Sequence, residues 1–248
     1  QFVELMRAMS NFGLGNIGFS GMMAINAQFM RGIEEDTYHE LGRQLYTKQI
    51  ARLIYPESRA LVAAHQAKGH TVAIISSATP YQVEPAAADL GIKHVLCTQL
   101  EVKNGQFTGG VIHPTCFGQG KVDAAESLAK QYRADLRKSF FYSDSQDDLL
   151  LLERVGQPRA LNPSSKLEQI ARARQWPVAI FGSRGRPTLT QFMRSVAATS
   201  SVVTSFMAGL PVYALTGSRR ESQNFSFSLF ADTASALIGM DLKVQGEE

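Results

Sequence analysis

Between residues 139 and 153 a short apolar run breaks into a cluster of carboxylates and then resumes at helical spacing. Phe140, Phe141 and Tyr142 are strand formers, and residues 143–148 supply caps and charge. Residues 149–155 then carry the spacing of an amphipathic helix that Gly156 stops. A strand that turns straight into a helix implies a crossover, and the pattern recurs along the chain. Residues 58–68 read as a helix closed by Gly69, 71–76 as a buried strand, and 79–90 as a helix opened by Thr79 and Pro80. A short strand at 95–97, a helix at 122–132, strands at 159–161 and 178–181 and a helix at 164–174 complete the alternation. This predicts an α/β fold with a doubly wound parallel sheet. Residues 100–109 differ, alternating in and out around Asn104-Gly105, and read as an antiparallel hairpin appended to that sheet.

The flanking regions are helical in pattern. Phe2, Leu5, Met6 and Met9 fall at helical spacing, and so do Tyr38, Leu41, Leu45 and Ile50. The uncharged stretch 8–30 between them is too rich in glycine and asparagine for a membrane span and fits a packed helical subdomain better. At the other end, residues 195–218 are uncharged between Arg194 and Arg219-Arg220, a length that can span a bilayer, although serine, threonine and Pro211 weaken that reading. Residues 225–240 are apolar apart from Asp232 and suit an interfacial helix, so a membrane contact is expected through 195–240, with a core or oligomerisation helix pair as the competing reading. The chain starts as if in mid-helix and ends without a closing element, so truncation at both ends is expected.

With 248 residues, 44% of them hydrophobic, the chain can bury a sizeable core. A formal charge of +3 without a Lys/Arg-rich block disfavours nucleic acid as a partner. Cys97 and Cys116 have neither the number nor the spacing of a disulfide framework or a zinc site, so reduced thiols in a cytoplasmic core are expected.

Three spots at strand ends carry chemistry. Ligands of open α/β sheets gather at the carboxyl ends of the strands. Asp144 at one strand tip and Asp148 a turn later are placed to face one Mg²⁺, a hard cation that prefers carboxylate oxygen. The plainer alternative is that Asp144 caps the helix while Asp147 and Asp148 complement its dipole. Residues 76–80 follow an apolar strand and open a helix, so their hydroxyls and N–H groups could hold a phosphoryl group or simply cap that helix. Lys121 opens the helix after Gly118-Gln-Gly120, where a cation opposes the dipole unless an anion lies beside it.

Taken in order, an apolar strand ending in Ser77, a Gly-Lys at Lys121 and Tyr142-Ser-Asp-Ser-x-x-Asp148-Leu resemble motifs two, three and four of the haloacid dehalogenase-like phosphatases. The likeness is strongest to the phosphoserine-phosphatase-like branch with a helical cap, and Phe107-Thr-Gly109 and Val155-Gly-x-Pro-x-Ala-x-Asn-Pro163 add to it. The resemblance implies a cap over 1–54, a phosphatase core over 55–183 and Mg²⁺ as cofactor. It also implies a small phosphomonoester substrate, with Ser77 and Ala78 binding the phosphoryl group. Lys121 would be the catalytic cation, neutralising phosphoryl charge and holding the nucleophile, while Asp144 ligates the metal and Asp148 orients the metal or its waters. The family's nucleophile, the first Asp of an Asp-x-Asp motif on a strand before the cap, is missing, and Asp36 is the only aspartate ahead of Ser77. The core is therefore expected to lack its first strand and this chain to be inactive alone. Residues 184–248 read as an apolar linker and helices. Residues 241–248 resemble the lead-in to a 1-acylglycerol-3-phosphate acyltransferase-like region, which would make the parent a bifunctional phospholipid-biosynthesis protein. The competing class is a non-catalytic phosphate-binding scaffold attached to such an acyltransferase.

Overall fold

The computed structural model describes residues 18–182 and 189–238. They fall into two compact units that divide between residues 184 and 185.

The first unit opens with two helices, α1 (Phe19–Phe29) and α2 (Glu35–Leu45). Glu35 and Asp36 in the first turn of α2 and Arg43 in its last turn complement the helix dipole. The chain continues through a π-helical turn at Tyr46–Ile50 and a 3-10 turn at Ala51–Leu53. Of the N-terminal subdomain read over 1–54, residues 1–17 lie outside the described residues. Tyr46 is buried and hydrogen-bonds Asp89, which also pairs with Arg59 at 2.5 Å.

Next come α3 (Pro56–Ala67), β1 (Ala73–Ser76), α4 (Pro80–Asp89) and β2 (His94–Cys97). Proline stands at the first position of both helices, where the absent N–H costs nothing. After the hairpin β3 (Leu100–Lys103) and β4 (Gln106–Val111) follow α5 (Gln119–Gln131), β5 (Phe140–Ser143), α6 (Leu149–Arg154) and β6 (Gln157–Leu161). Helix α7 (Ser165–Ala173) and the two-residue β7 (Val178–Ala179) close the unit.

The parallel strands pair as β1-β2 and as β5-β6-β7. Among the described strands β1 and β5 do not pair with each other. A cavity of about 650 Å³ lies between them, lined by Ala73 and Ile75 on one side and by Phe140 and Tyr142 on the other. Leu152, Ala160, Leu167 and Ala171 form the core beneath β6, and Val122, Ala125, Leu151 and Val155 form the core between α5 and α6.

The hairpin turns at Asn104 and Gly105, both with positive φ (52° and 75°), as the Asn-Gly pair predicts. It forms a two-stranded sheet of its own, apart from the parallel strands. Phe107 accepts from the Gly32 N–H at 2.8 Å and donates to the Ile33 carbonyl at 3.0 Å, and its ring is buried with Ala27, Tyr81 and Leu100. The apolar inner face of β3 and β4 is covered by the N-terminal helices, with Met30 and Tyr38 packed against the same cluster.

The second unit is a helix pair, α8 (Leu189–Thr216) and α9 (Arg219–Ile238). Ser205 and Ser226 are buried, and the Ser222 hydroxyl donates to the Gly209 carbonyl at 2.6 Å. A Cβ at Gly209 would sit 2.0 Å from the Ser226 Oγ, so small residues let the helices approach. Among the described residues no helix is long and apolar enough to cross a membrane, which corrects the spanning expectation for 195–218. Hydroxyl-bearing residues interrupt the apolar run of α8. The acyltransferase-like stretch 241–248 lies outside the described residues.

Candidate active site

At the carboxyl end of β1 the hydroxyls divide their work. Ser76 Oγ accepts from the Ala78 N–H at 3.2 Å, and the Thr79 N–H donates to Gln82 Oε1 at 3.1 Å, closing the start of α4. Ser77 is left over, with no hydrogen-bond partner among the described residues, and it lines a cavity of about 330 Å³. Ala78 does not line that cavity. Its N–H is taken by Ser76 and its carbonyl accepts from the Thr98 N–H, so the phosphate-binding role expected of it has no free donor here.

Lys121 reaches the same cavity from the first turn of α5. Gly118, at φ +53°, turns the chain into that helix, and a Cβ at Gly120 would lie 1.9 Å from the Thr115 carbonyl oxygen. This close approach draws the start of α5 inward. Lys121 is only 8% exposed, and its Nζ donates to Asp148 Oδ1 at 2.5 Å. Asp148, 9% exposed, also accepts from the Ser143 hydroxyl at 2.7 Å. A buried ammonium at a helix start is penalised by both desolvation and the dipole, and the Asp148 carboxylate offsets both.

Asp144 is the first residue beyond β5, and its carbonyl accepts from the Ser164 N–H at 2.8 Å. It caps no helix. The cap is Ser145, whose hydroxyl accepts from the Asp147 N–H at 3.1 Å. The Asp144 carboxylate is exposed, lines the cavity and has no partner among the described residues. Ser77, Lys121, Asp144 and Asp148 thus surround one cavity, whereas Ala78 stands outside it. Sequence reasoning missed Ser143, Asp147 and Phe117, which line it as well. Position relative to the strand end would have flagged Ser143 and Asp147, but no local signal marks Phe117.

Among the described residues no group of three His, Cys, Asp or Glu side chains is arranged to hold a metal. Mg²⁺ does not need one, because it keeps several waters and is held by one or two carboxylates plus substrate phosphate. A free carboxylate at Asp144 beside Ser77 and Lys121 fits that donor set. Cys116 stands close by, with its thiol pushed up by burial, and both cysteines are free.

The family model described as haloacid dehalogenase-like hydrolase matches residues 3–153, more than half of the chain. The chain belongs to the haloacid dehalogenase-like hydrolases. A probable phosphatase of Mycobacterium tuberculosis is 32% identical over 75% of this chain and 63% of its own length. A histidinol-phosphatase of Neisseria meningitidis is 34% identical over 57% of this chain and 66% of its own. The chain therefore spans less than two thirds of these curated relatives. A crystal structure of a Bordetella pertussis protein of unknown function superposes with a TM-score of 0.65 at 26% identity, covering 69% of this chain and 78% of that one. The cavity lies at the carboxyl ends of β1 and β5, where open α/β sheets gather their ligands.

Proposed function

We propose that the protein is a Mg²⁺-dependent phosphomonoester hydrolase working through an aspartyl-phosphate, with a small phosphorylated metabolite as substrate. One observation carries the reading: a buried Lys121–Asp148 pair, an uncommitted Ser77 hydroxyl and an uncommitted Asp144 carboxylate converge on a single cavity at the strand ends. Ser77 donates to the phosphoryl oxygens. Lys121 compensates their charge, held in place by Asp148, which Ser143 orients in turn. Asp144 would hold Mg²⁺, which supplies charge stabilisation to the transferring group. The nucleophilic carboxylate would come from a strand filling the space between β1 and β5, because the 248 residues contain no Asp-x-Asp. The similarity to a probable phosphatase of Mycobacterium tuberculosis and a histidinol-phosphatase of Neisseria meningitidis supports a phosphatase.

The same missing motif favours a second reading, a phosphate-binding module that hydrolyses nothing. Assaying residues 1–248 beside a version extended upstream, on p-nitrophenyl phosphate with and without Mg²⁺, separates the two. The enzyme reading expects Mg²⁺-dependent turnover by the extended form only, falling by about 10²-fold or more in its Asp144→Asn variant. Silence from both forms would leave the binding module, and turnover by the short form would put the nucleophile among these residues.

A further inference from the structure

Resting on the phosphatase reading above, we infer that Phe117 sets the leaving-group preference of the site. It selects phosphomonoesters whose alcohol carries an aromatic ring and no carboxylate. The lining of the cavity sorts by element. Ile75, Phe141 and Tyr142 belong to β1 and β5, the strands flanking the gap in the sheet. Ser77, Lys121 and the aspartates serve the phosphoryl end. Phe117 remains, a half-buried aromatic on the loop before α5 and on neither strand.

That loop holds its ring in place. The Phe117 N–H donates to the Thr115 carbonyl at 2.8 Å, and the Phe117 carbonyl accepts from the Gly120 N–H at 2.9 Å. The Phe19 ring of α1 stacks on it, with centroids 4.4 Å apart and planes at 13°. A hydrogen bond of 2.7 Å between Ser20 Oγ and Thr115 Oγ1 ties the start of α1 to the same loop. A ring fixed beforehand loses little freedom when a second ring packs against it, so the stacking energy appears as affinity.

Charge narrows the class further. Lys121 is the one cation among the described lining residues, and its Nζ is already on Asp148. Asp144 and Asp147 are both exposed to the cavity. With Mg²⁺ on Asp144, Asp147 is the exposed carboxylate left over, and a carboxylate on the leaving group would meet it without a free side-chain cation among the described lining residues to pair with, a like-charge juxtaposition that disfavours binding.

Calorimetric titration of the protein with non-hydrolysable phosphonates tests this without requiring turnover. The probes are 3-phenylpropylphosphonate, butylphosphonate, 2-amino-4-phosphonobutanoate and inorganic phosphate. The phenyl compound should bind about tenfold more tightly than the butyl compound, and the amino acid no more tightly than phosphate. Phe117→Leu should bring the two alkyl phosphonates within about twofold while leaving phosphate unchanged, and Phe117→Tyr should keep the preference. If phosphate binds but the phenyl preference is absent, or survives in Phe117→Leu, the role of Phe117 is overturned and the phosphatase reading stands. If phosphate itself fails to bind, both fall together.

Discussion

Replacing Lys121 with Met keeps the length of the side chain and removes its charge. In the native protein its Nζ sits 2.5 Å from Asp148 Oδ1, with the two residues 8% and 9% exposed. Among the described residues the variant leaves Asp148 with one neutral donor, the Ser143 hydroxyl at 2.7 Å. Breaking a buried ion pair from one side costs about 3–5 kcal/mol, because the remaining charge loses its compensation without regaining water. The adjoining cavity lets some water reach the carboxylate, so the expected loss is at the lower end, about 3 kcal/mol. Asp148→Leu should cost a similar amount, by stranding the ammonium. In the double variant Lys121→Met/Asp148→Leu both charges go, and only the Ser143 hydroxyl loses an acceptor, a cost of about 1 kcal/mol. The two single losses should therefore exceed the double loss by at least about 3 kcal/mol. Urea denaturation at pH 7, with free energies extrapolated to water and unchanged m-values, measures all four corners of the cycle. Single losses under about 1 kcal/mol that simply add would mean that the pair behaves like a solvated surface bridge, and the preset position argued for Lys121 would be wrong.

Two other outcomes follow from the same geometry. Ser145→Ala removes the acceptor of the Asp147 N–H and should cost about 1 kcal/mol in a thermal or urea melt, whereas Asp144→Asn should stay within about 0.5 kcal/mol of the parent. Equal losses would make Asp144 a structural cap after all. Asp89 is held below its ordinary value of 3.8, first by the Arg59 hydrogen bond and then by Tyr46. A depressed carboxylate contributes stability above its unfolded value and loses it as pH falls through the folded one. The stability gap between parent and Asp89→Asn should thus be full at pH 7 and shrink once pH drops below about 3.8, and a gap that stays constant across melts from pH 7 to 3 would contradict the ion pair.

Most of the elements were legible because their signals are local. Pro56 and Pro80 mark the first turns of α3 and α4, and Asn104-Gly105 marks its hairpin by requiring positive φ at both residues. What the hairpin packs against was not legible. Its partner face is chosen by Phe107 burying against Ala27 and Tyr81, a contact between segments far apart in sequence that no local periodicity encodes. The same division runs through the site. A place at the cavity could be read for Ser77 and Asp144 because a strand end fixes where the next side chain lies. Ala78 could not, since the competing acceptor for its N–H is a neighbouring hydroxyl whose rotamer decides the matter. Phe117 reads as an ordinary loop aromatic until Phe19 is seen stacked upon it.

Lys121 is the instructive middle case. A cation in the first turn of a helix works against the dipole, so the sequence alone demands an anion near it but cannot say which. The structure supplies Asp148, 27 residues further on, held by Ser143 at the end of β5. The demand was local and the answer is tertiary. Two strand ends, one carrying Ser77 and the other carrying Ser143 and Asp144, have to face a common cavity before the Lys121–Asp148 pair can close, and only the sheet places them there.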